Sequence, residues 1–189
     1  MKKKIVSLLL CVALVCAMAV PAFADWEIEP DLPMGHSPNR LNVYGNLGSP
    51  MQGRQLTLWT DNGSADQRFV VKQETTNGKK YMYLLSSQST SYAINRSTQS
   101  VAGGQLAIMW LLSTGKNDSA FLFPSRPDPA NMFRLANHTY EKNNKIHHES
   151  LAASGDYSGA TVFFLNGSSS GTSTGGLASW LVSGTPTIG

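Results

Sequence analysis

Residues 55–69 read Gln-Leu-Thr-Leu-Trp-Thr-Asp-Asn-Gly-Ser-Ala-Asp-Gln-Arg-Phe: an alternating strand, a turn, and a second apolar start. Successive side chains of a strand point to opposite faces, so Leu56 and Leu58 share one face and Thr57 and Trp59 the other. The same order returns further along the chain. Leu56-Thr57-Leu58-Trp59 matches Leu106-Ala107-Ile108-Met109. Asp66-Gln67-Arg68-Phe69 matches Asp118-Ser119-Ala120-Phe121, with Leu177-Ala178-Ser179-Trp180 as a weaker third copy. The apolar anchors Phe69, Phe121 and Trp180 are 52 and 59 residues apart, and the strand starts Leu41, Tyr92 and Lys145 are 51 and 53 apart. The extra length of the third unit falls in the Gly/Ser-rich run 167–176, where a loop insertion belongs.

Around this stretch, apolar residues come in short runs separated by Gly, Ser, Asn and Pro clusters, and almost nothing reads as helix. That rhythm predicts about twelve short strands. Three units of four strands are the architecture of a β-trefoil, so the expected fold is all-β, with pseudo-repeats at about 25–78, 79–130 and 131–189. Phe69, Phe121 and Trp180 should form a threefold set of core anchors.

Residues 1–24 stand apart. Lys2-Lys3-Lys4, an apolar run to residue 20 and Ala22-Phe23-Ala24 have the three-part pattern of a secretory signal peptide of bacterial type, predicting secretion of residues 25–189 as one domain. Both cysteines, Cys11 and Cys16, and three of the 15 Lys+Arg lie in this leader, so the remainder balances 12 cations against its 12 Asp+Glu. Without cysteine it has no disulfide, Cys-ligated zinc or thiol nucleophile. A neutral chain without a basic run argues against nucleic acid or anionic lipid as partner. No second apolar stretch suggests a membrane anchor, and no motif calls for a cofactor.

Three segments together resemble a ricin-type (R-type) lectin repeat: Leu41-Asn42-Val43-Tyr44-Gly45, Gln55-Leu56-Thr57-Leu58-Trp59, and Asn62-Gly63 followed by Asp66-Gln67-Arg68-Phe69. The Gln-x-Trp/Phe triplet that marks the family is intact as Gln67-Arg68-Phe69 and degenerate as Ser119-Ala120-Phe121 and Ala178-Ser179-Trp180. The resemblance implies carbohydrate binding. It places the acidic sugar contact of the second strand at Asn42, the polar–aromatic pair of the third at Thr57 and Trp59, and the Asn-Gln pair before the fourth at Asp66 and Gln67. Two positions depart from the pattern: Asn42 replaces the usual Asp, and Thr57 the usual amide. Loss of the carboxylate removes a charge-assisted hydrogen bond of roughly 1.5–3 kcal/mol.

The residues support the same chemistry on their own terms. A pyranose has an apolar face and a rim of hydroxyls, which suit an aromatic platform flanked by planar amides or carboxylates. With Leu41, Val43, Leu56 and Leu58 facing the core, Asn42, Tyr44, Thr57 and Trp59 face outward, near Asn62 and Asp66. The candidate carbohydrate-binding set is therefore Asn42, Tyr44, Thr57, Trp59, Asn62, Asp66 and Gln67. Gln67 admits a second role, because an inward amide must bond backbone groups and so holds the fold. The other units look poorer. The second offers Ala93, Ala107 and Met109 at the equivalent positions beside Asp118. The third offers Phe164 as platform with His147 or His148, but Leu177 and Ala178 where Asp66 and Gln67 would be. One shallow site implies millimolar affinity, near 4 kcal/mol, and avidity through a multivalent glycan or polysaccharide.

Enzymatic motifs carry less. Gly167-Ser168-Ser169-Ser170-Gly171 fits G-x-S-x-G but lacks the strand–turn–helix context of a nucleophile elbow. His147-His148-Glu149 alternate across a strand, which reads as surface polarity and not as a metal site. Glu27, Glu29 and Asp31 read as a solvated strand, without a second acidic cluster for glycoside hydrolysis. The expectation is a non-catalytic, lectin-like protein without metal. The alternative is a trefoil scaffold for protein contacts, similar to a protease inhibitor, with 124–131 and 166–176 as its loops.

Overall fold

The computed structural model describes residues 25–32, 35–45, 51–101, 103–122, 133–166 and 178–183; residues 1–24 and the run 167–176 lie outside them. In the first repeat the strands are β1 (Glu27–Leu32), the short β2 (Gly35–His36), β3 (Asn39–Val43), β4 (Leu56–Thr60) and β5 (Phe69–Thr76). The second contains β6 (Lys79–Ser86), β7 (Ser89–Val101), β8 (Gly104–Leu111), a helix α1 (Leu112–Ser119) and β9 (Phe121–Leu122). The third contains β10 (Arg134–Lys142), β11 (Lys145–Ala153), β12 (Val162–Leu165) and β13 (Trp180–Ser183). The twelve expected strands are present, joined by β2 and α1.

Turn chemistry sets two of the long hairpins. Asn77 (φ 51°) and Gly78 (φ 73°) connect β5 to β6, and Asn143 (φ 54°) and Asn144 (φ 56°) connect β10 to β11. Paired positive φ values match the right-handed twist of the strands, and Asn and Gly are the residues that adopt them at least cost.

The first and fourth strands of the repeats make a barrel. β13 pairs with β1 from Glu27↔Ser183 to Pro30↔Trp180. Trp26 and Phe69 exchange both main-chain hydrogen bonds, at 2.6 and 2.9 Å, and so join the start of β1 to β5. β5 runs beside β6, Met82 of β6 faces Phe121 of β9, and Phe121 also faces Leu135 of β10. The second and third strands form three hairpins, β3–β4, β7–β8 and β11–β12. Bridges Gln55↔Ile108 and Thr57↔Thr161 and the pair Leu106↔Phe163 tie the third strands to one another around the pseudo-threefold axis. This is a β-trefoil.

Phe69, Phe121 and Trp180 are fully buried in one core, as the repeat pattern requires. Phe121 packs edge-on against Phe133 at 5.9 Å and tilted against Phe164 at 6.0 Å. Leu56 and Leu58 face the same core, and their counterparts are Ala107 and Met109 in β8 and Val162 and Phe164 in β12. The second repeat is thus displaced by one residue from its sequence match. Trp110, not Met109, corresponds to Trp59. On the same register Asn95, not Ala93, corresponds to Asn42, and Ile108, not Ala107, to Thr57. Both faces of β8 are covered, so its unbroken apolar run hides the alternation that marks an inward face.

Candidate functional site

The outward face of the β3–β4 hairpin is built from antiparallel rungs: Arg40 opposite Trp59 and Asn42 opposite Thr57. One step beyond, the Tyr44 amide donates to the Gln55 carbonyl at 2.9 Å. A 3-10 turn, Ala65–Gln67, then brings the fourth-strand approach back beside Trp59. Gln67, only 1% exposed, holds that return. Its Nε2 donates to the carbonyls of Thr60 (3.0 Å) and Trp59 (3.3 Å), and its Oε1 accepts from the Asn62 amide (3.0 Å). Its amide is spent on backbone, which is the fold-holding role.

Asn62, Ser64 and Asp66 form a small polar knot on the same loop. The Ser64 amide donates to Asn62 Oδ1 at 3.0 Å, and the Ser64 hydroxyl lies between Asn62 Oδ1 and Asp66 Oδ1. A hydroxyl carries one proton, so it donates to one of these oxygens at a time. Asp66 Oδ2 takes no part in this knot and is the remaining acceptor of that carboxylate.

Five of the seven expected residues converge. Asn42, Tyr44, Trp59, Asn62 and Asp66, with Gly45, line one open cleft of about 370 Å³. Trp59 is 42% and Tyr44 57% exposed, whereas Asn42 is 6% exposed. Among the described residues no side-chain hydrogen bond holds the Asn42 amide, which sits between the two aromatic residues along the hairpin. Thr57 does not line the cleft. It is buried, and among the described residues its Oγ1 has no hydrogen-bond partner. Facing away from the core, then, exposes Tyr44 and Trp59 but leaves Asn42 and Thr57 buried.

Charges close behind the aromatic wall are already paired. Arg40 binds Glu29, lies 3.4 Å from Asp61, and donates to the Ser37 carbonyl at 2.9 Å. Glu29 is buried by this contact and is not a solvated strand residue.

In the second repeat, the equivalent hollow is filled from within the chain. The kinked helix α1 lies across it: Asn95 Nδ2 donates to the Gly115 carbonyl and the Ser119 hydroxyl, both at 2.9 Å. A Cβ on Gly115 would lie 2.4 Å from Asn95 Nδ2 and 2.8 Å from Trp110 Cδ1, so the glycine seats the helix on both residues. Asp118 turns to His138, 2.6 Å away.

The third repeat has Ala152 and Leu165 at the positions of Asn42 and Trp59. Phe164 is fully buried and cannot serve as a platform. His147 stacks on Tyr140 at 5.5 Å, and His148 Nδ1 lies 2.7 Å from the Leu135 carbonyl. Glu149 is buried in a two-pronged pair with Arg96, at 2.6 and 3.1 Å. Ala178 sits beside β13, while Leu177 and the Gly167-Ser168-Ser169-Ser170-Gly171 match lie outside the described residues. Among the described residues, no cluster of three or more His, Cys, Asp or Glu side chains could hold a metal ion.

No protein-family model matches the sequence, and no curated protein matches it. Solved structures do. The designed threefold-symmetric protein ThreeFoil superposes with a TM-score of 0.59 at 16% identity, covering 84% of this chain and 96% of its own. A mosquitocidal holotoxin matches with a TM-score of 0.59 at 11% identity, over 88% of this chain and 18% of the toxin. At these identities the likeness is one of fold, and it agrees with the β-trefoil drawn from the strand pairings above.

Proposed function

We propose that this chain is a secreted, non-catalytic carbohydrate-binding protein with one shallow site in its first repeat. The observation that carries this reading is the meeting of an exposed indole, Trp59, with Asn42, Asn62 and Asp66 in one open cleft. The indole offers an apolar plane to the C–H face of a sugar. The Asn42 amide supplies donors and an acceptor to hydroxyls, and Asp66 an acceptor of full charge. Asn42 is largely withdrawn from water, and among the described residues no side-chain hydrogen bond holds its amide, so its donors and acceptor are open to a ligand hydroxyl. Gln67 and Thr57 support the wall from behind and do not contact the ligand.

The leader at residues 1–24 supports export. Binding to a glycan array that Trp59→Ala abolishes, with the far-UV spectrum and melting temperature unchanged, is the expected result. A folded protein that binds no glycan on the array would overturn the reading.

A further inference from the structure

Along the β3–β4 hairpin the two exposed aromatic residues stand at opposite ends of the cleft. Trp59 lies opposite Arg40, and Tyr44 opposite Gln55. Residues 55 and 59 are four steps apart in one strand, about 13 Å at 3.3 Å per residue. Strand side chains stand roughly perpendicular to the sheet, so two platforms on the same face keep most of that separation. This is more than one pyranose ring spans. The buried Asn42 amide lies between them on the middle rung. Gly45, at φ 121°, turns the chain directly after Tyr44 in a conformation that favours glycine, and it lines the cleft beside that ring.

Among the described residues that line the cleft, Asp66 is the one acidic side chain, and the Arg54 side chain packs at its edge: a Cβ on Gly45 would lie 3.7 Å from Arg54 Nε.

From this arrangement we infer that the cleft takes an internal stretch of an oligosaccharide, one sugar on Trp59 and a later one on Tyr44, and not a single terminal sugar. The inference rests on the carbohydrate-binding reading of the same cleft. Each ring then contributes only to ligands long enough to reach it. A single sugar uses Trp59 and Asn42; a trimer adds Tyr44.

Isothermal titration with oligosaccharides of one to four units tests this, using neutral glucose, galactose, mannose and N-acetylglucosamine series together with a galacturonate series. In the series that binds, affinity should rise by roughly tenfold between one and three units, the size of one added aromatic contact. Tyr44→Ala should remove that gain. Trp59→Ala should weaken every length. Equal affinity for one and four units, or a Tyr44→Ala variant with an unchanged trimer affinity, would overturn the extended site while leaving single-sugar binding intact. An absence of heat or competition with every series would overturn the carbohydrate reading itself and this inference with it.

Discussion

Gln67 and Trp59 are joined through the main chain: the Gln67 amide, 1% exposed, donates to the Trp59 carbonyl at 3.3 Å and to the neighbouring Thr60 carbonyl at 3.0 Å. Gln67 therefore braces the backbone that presents the exposed indole. Gln67→Ala removes the donor to the Trp59 and Thr60 carbonyls and the acceptor of the Asn62 amide, and a loss of about 1–3 kcal/mol in unfolding free energy is expected from denaturant titration. Glycan affinity should fall along with it through a loosened Trp59. A variant of unchanged stability but lost binding would make Gln67 a direct contact.

Gly115 seals the second repeat. A Cβ there would press on Asn95, whose amide cannot retreat without giving up its bonds to the Gly115 carbonyl and Ser119. Gly115→Ala should cost about 1–3 kcal/mol by denaturant unfolding, the usual penalty of forcing a packed core apart. Wild-type stability in that variant would show that α1 is only loosely seated.

Arg96 and Glu149 link the second and third repeats through a two-pronged contact, with Glu149 5% exposed. Removing one member strands the other. Arg96→Met should cost about 3–5 kcal/mol, whereas replacing both by apolar residues should recover much of the loss. A double-mutant cycle on chemical denaturation measures it, and purely additive losses would contradict the pairing.

Lys116 on α1 hydrogen-bonds the Glu74 carboxylate of β5. That bond holds the Glu74 carboxyl below its ordinary range and raises the Lys116 ammonium above its own. The Glu74 contribution is present above the unfolded carboxylate range and fades as pH falls through the lowered folded value. The Lys116 contribution is complete below the unfolded ammonium range and fades as pH rises through the raised one. In an NMR titration, Lys116→Met should move the Glu74 midpoint upward; an unmoved midpoint would exclude the contact in solution.

The parts of this molecule that follow from pattern and the parts that do not differ for physical reasons. Phe69, Phe121 and Trp180 announce the threefold core because a large apolar residue at a recurring distance has only one economical place to go. The alternation of Leu41 and Val43, and of Leu56 and Leu58, is equally plain, since each strand there has one polar face. Strand β8 carries no such mark. Its apolar run allows either register, and the choice between Met109 and Trp110 is made by packing. Nor does α1 show itself, since Leu-Ser-Thr-Gly-Lys-Asn-Asp-Ser is poor in helix formers and forms its kinked turn against Asn95. In the candidate site, Tyr44, Trp59, Asn62 and Asp66 follow from strand parity and loop position. The burial of Thr57 does not, because β4 is bridged there to Thr161 of the third repeat, far along the sequence.

The central claim is that Trp59 is the platform for a bound sugar. The chain has four tryptophans, and Trp180 lies in the core, Trp26 at the barrel seam and Trp110 under α1. Two-dimensional NMR of the four indole N–H groups, recorded while a binding oligosaccharide is added, separates them in one experiment. The Trp59 signal should shift progressively with ligand while the other three stay in place. A stationary Trp59 signal under saturating ligand, with movement at another tryptophan or at none, would contradict the account.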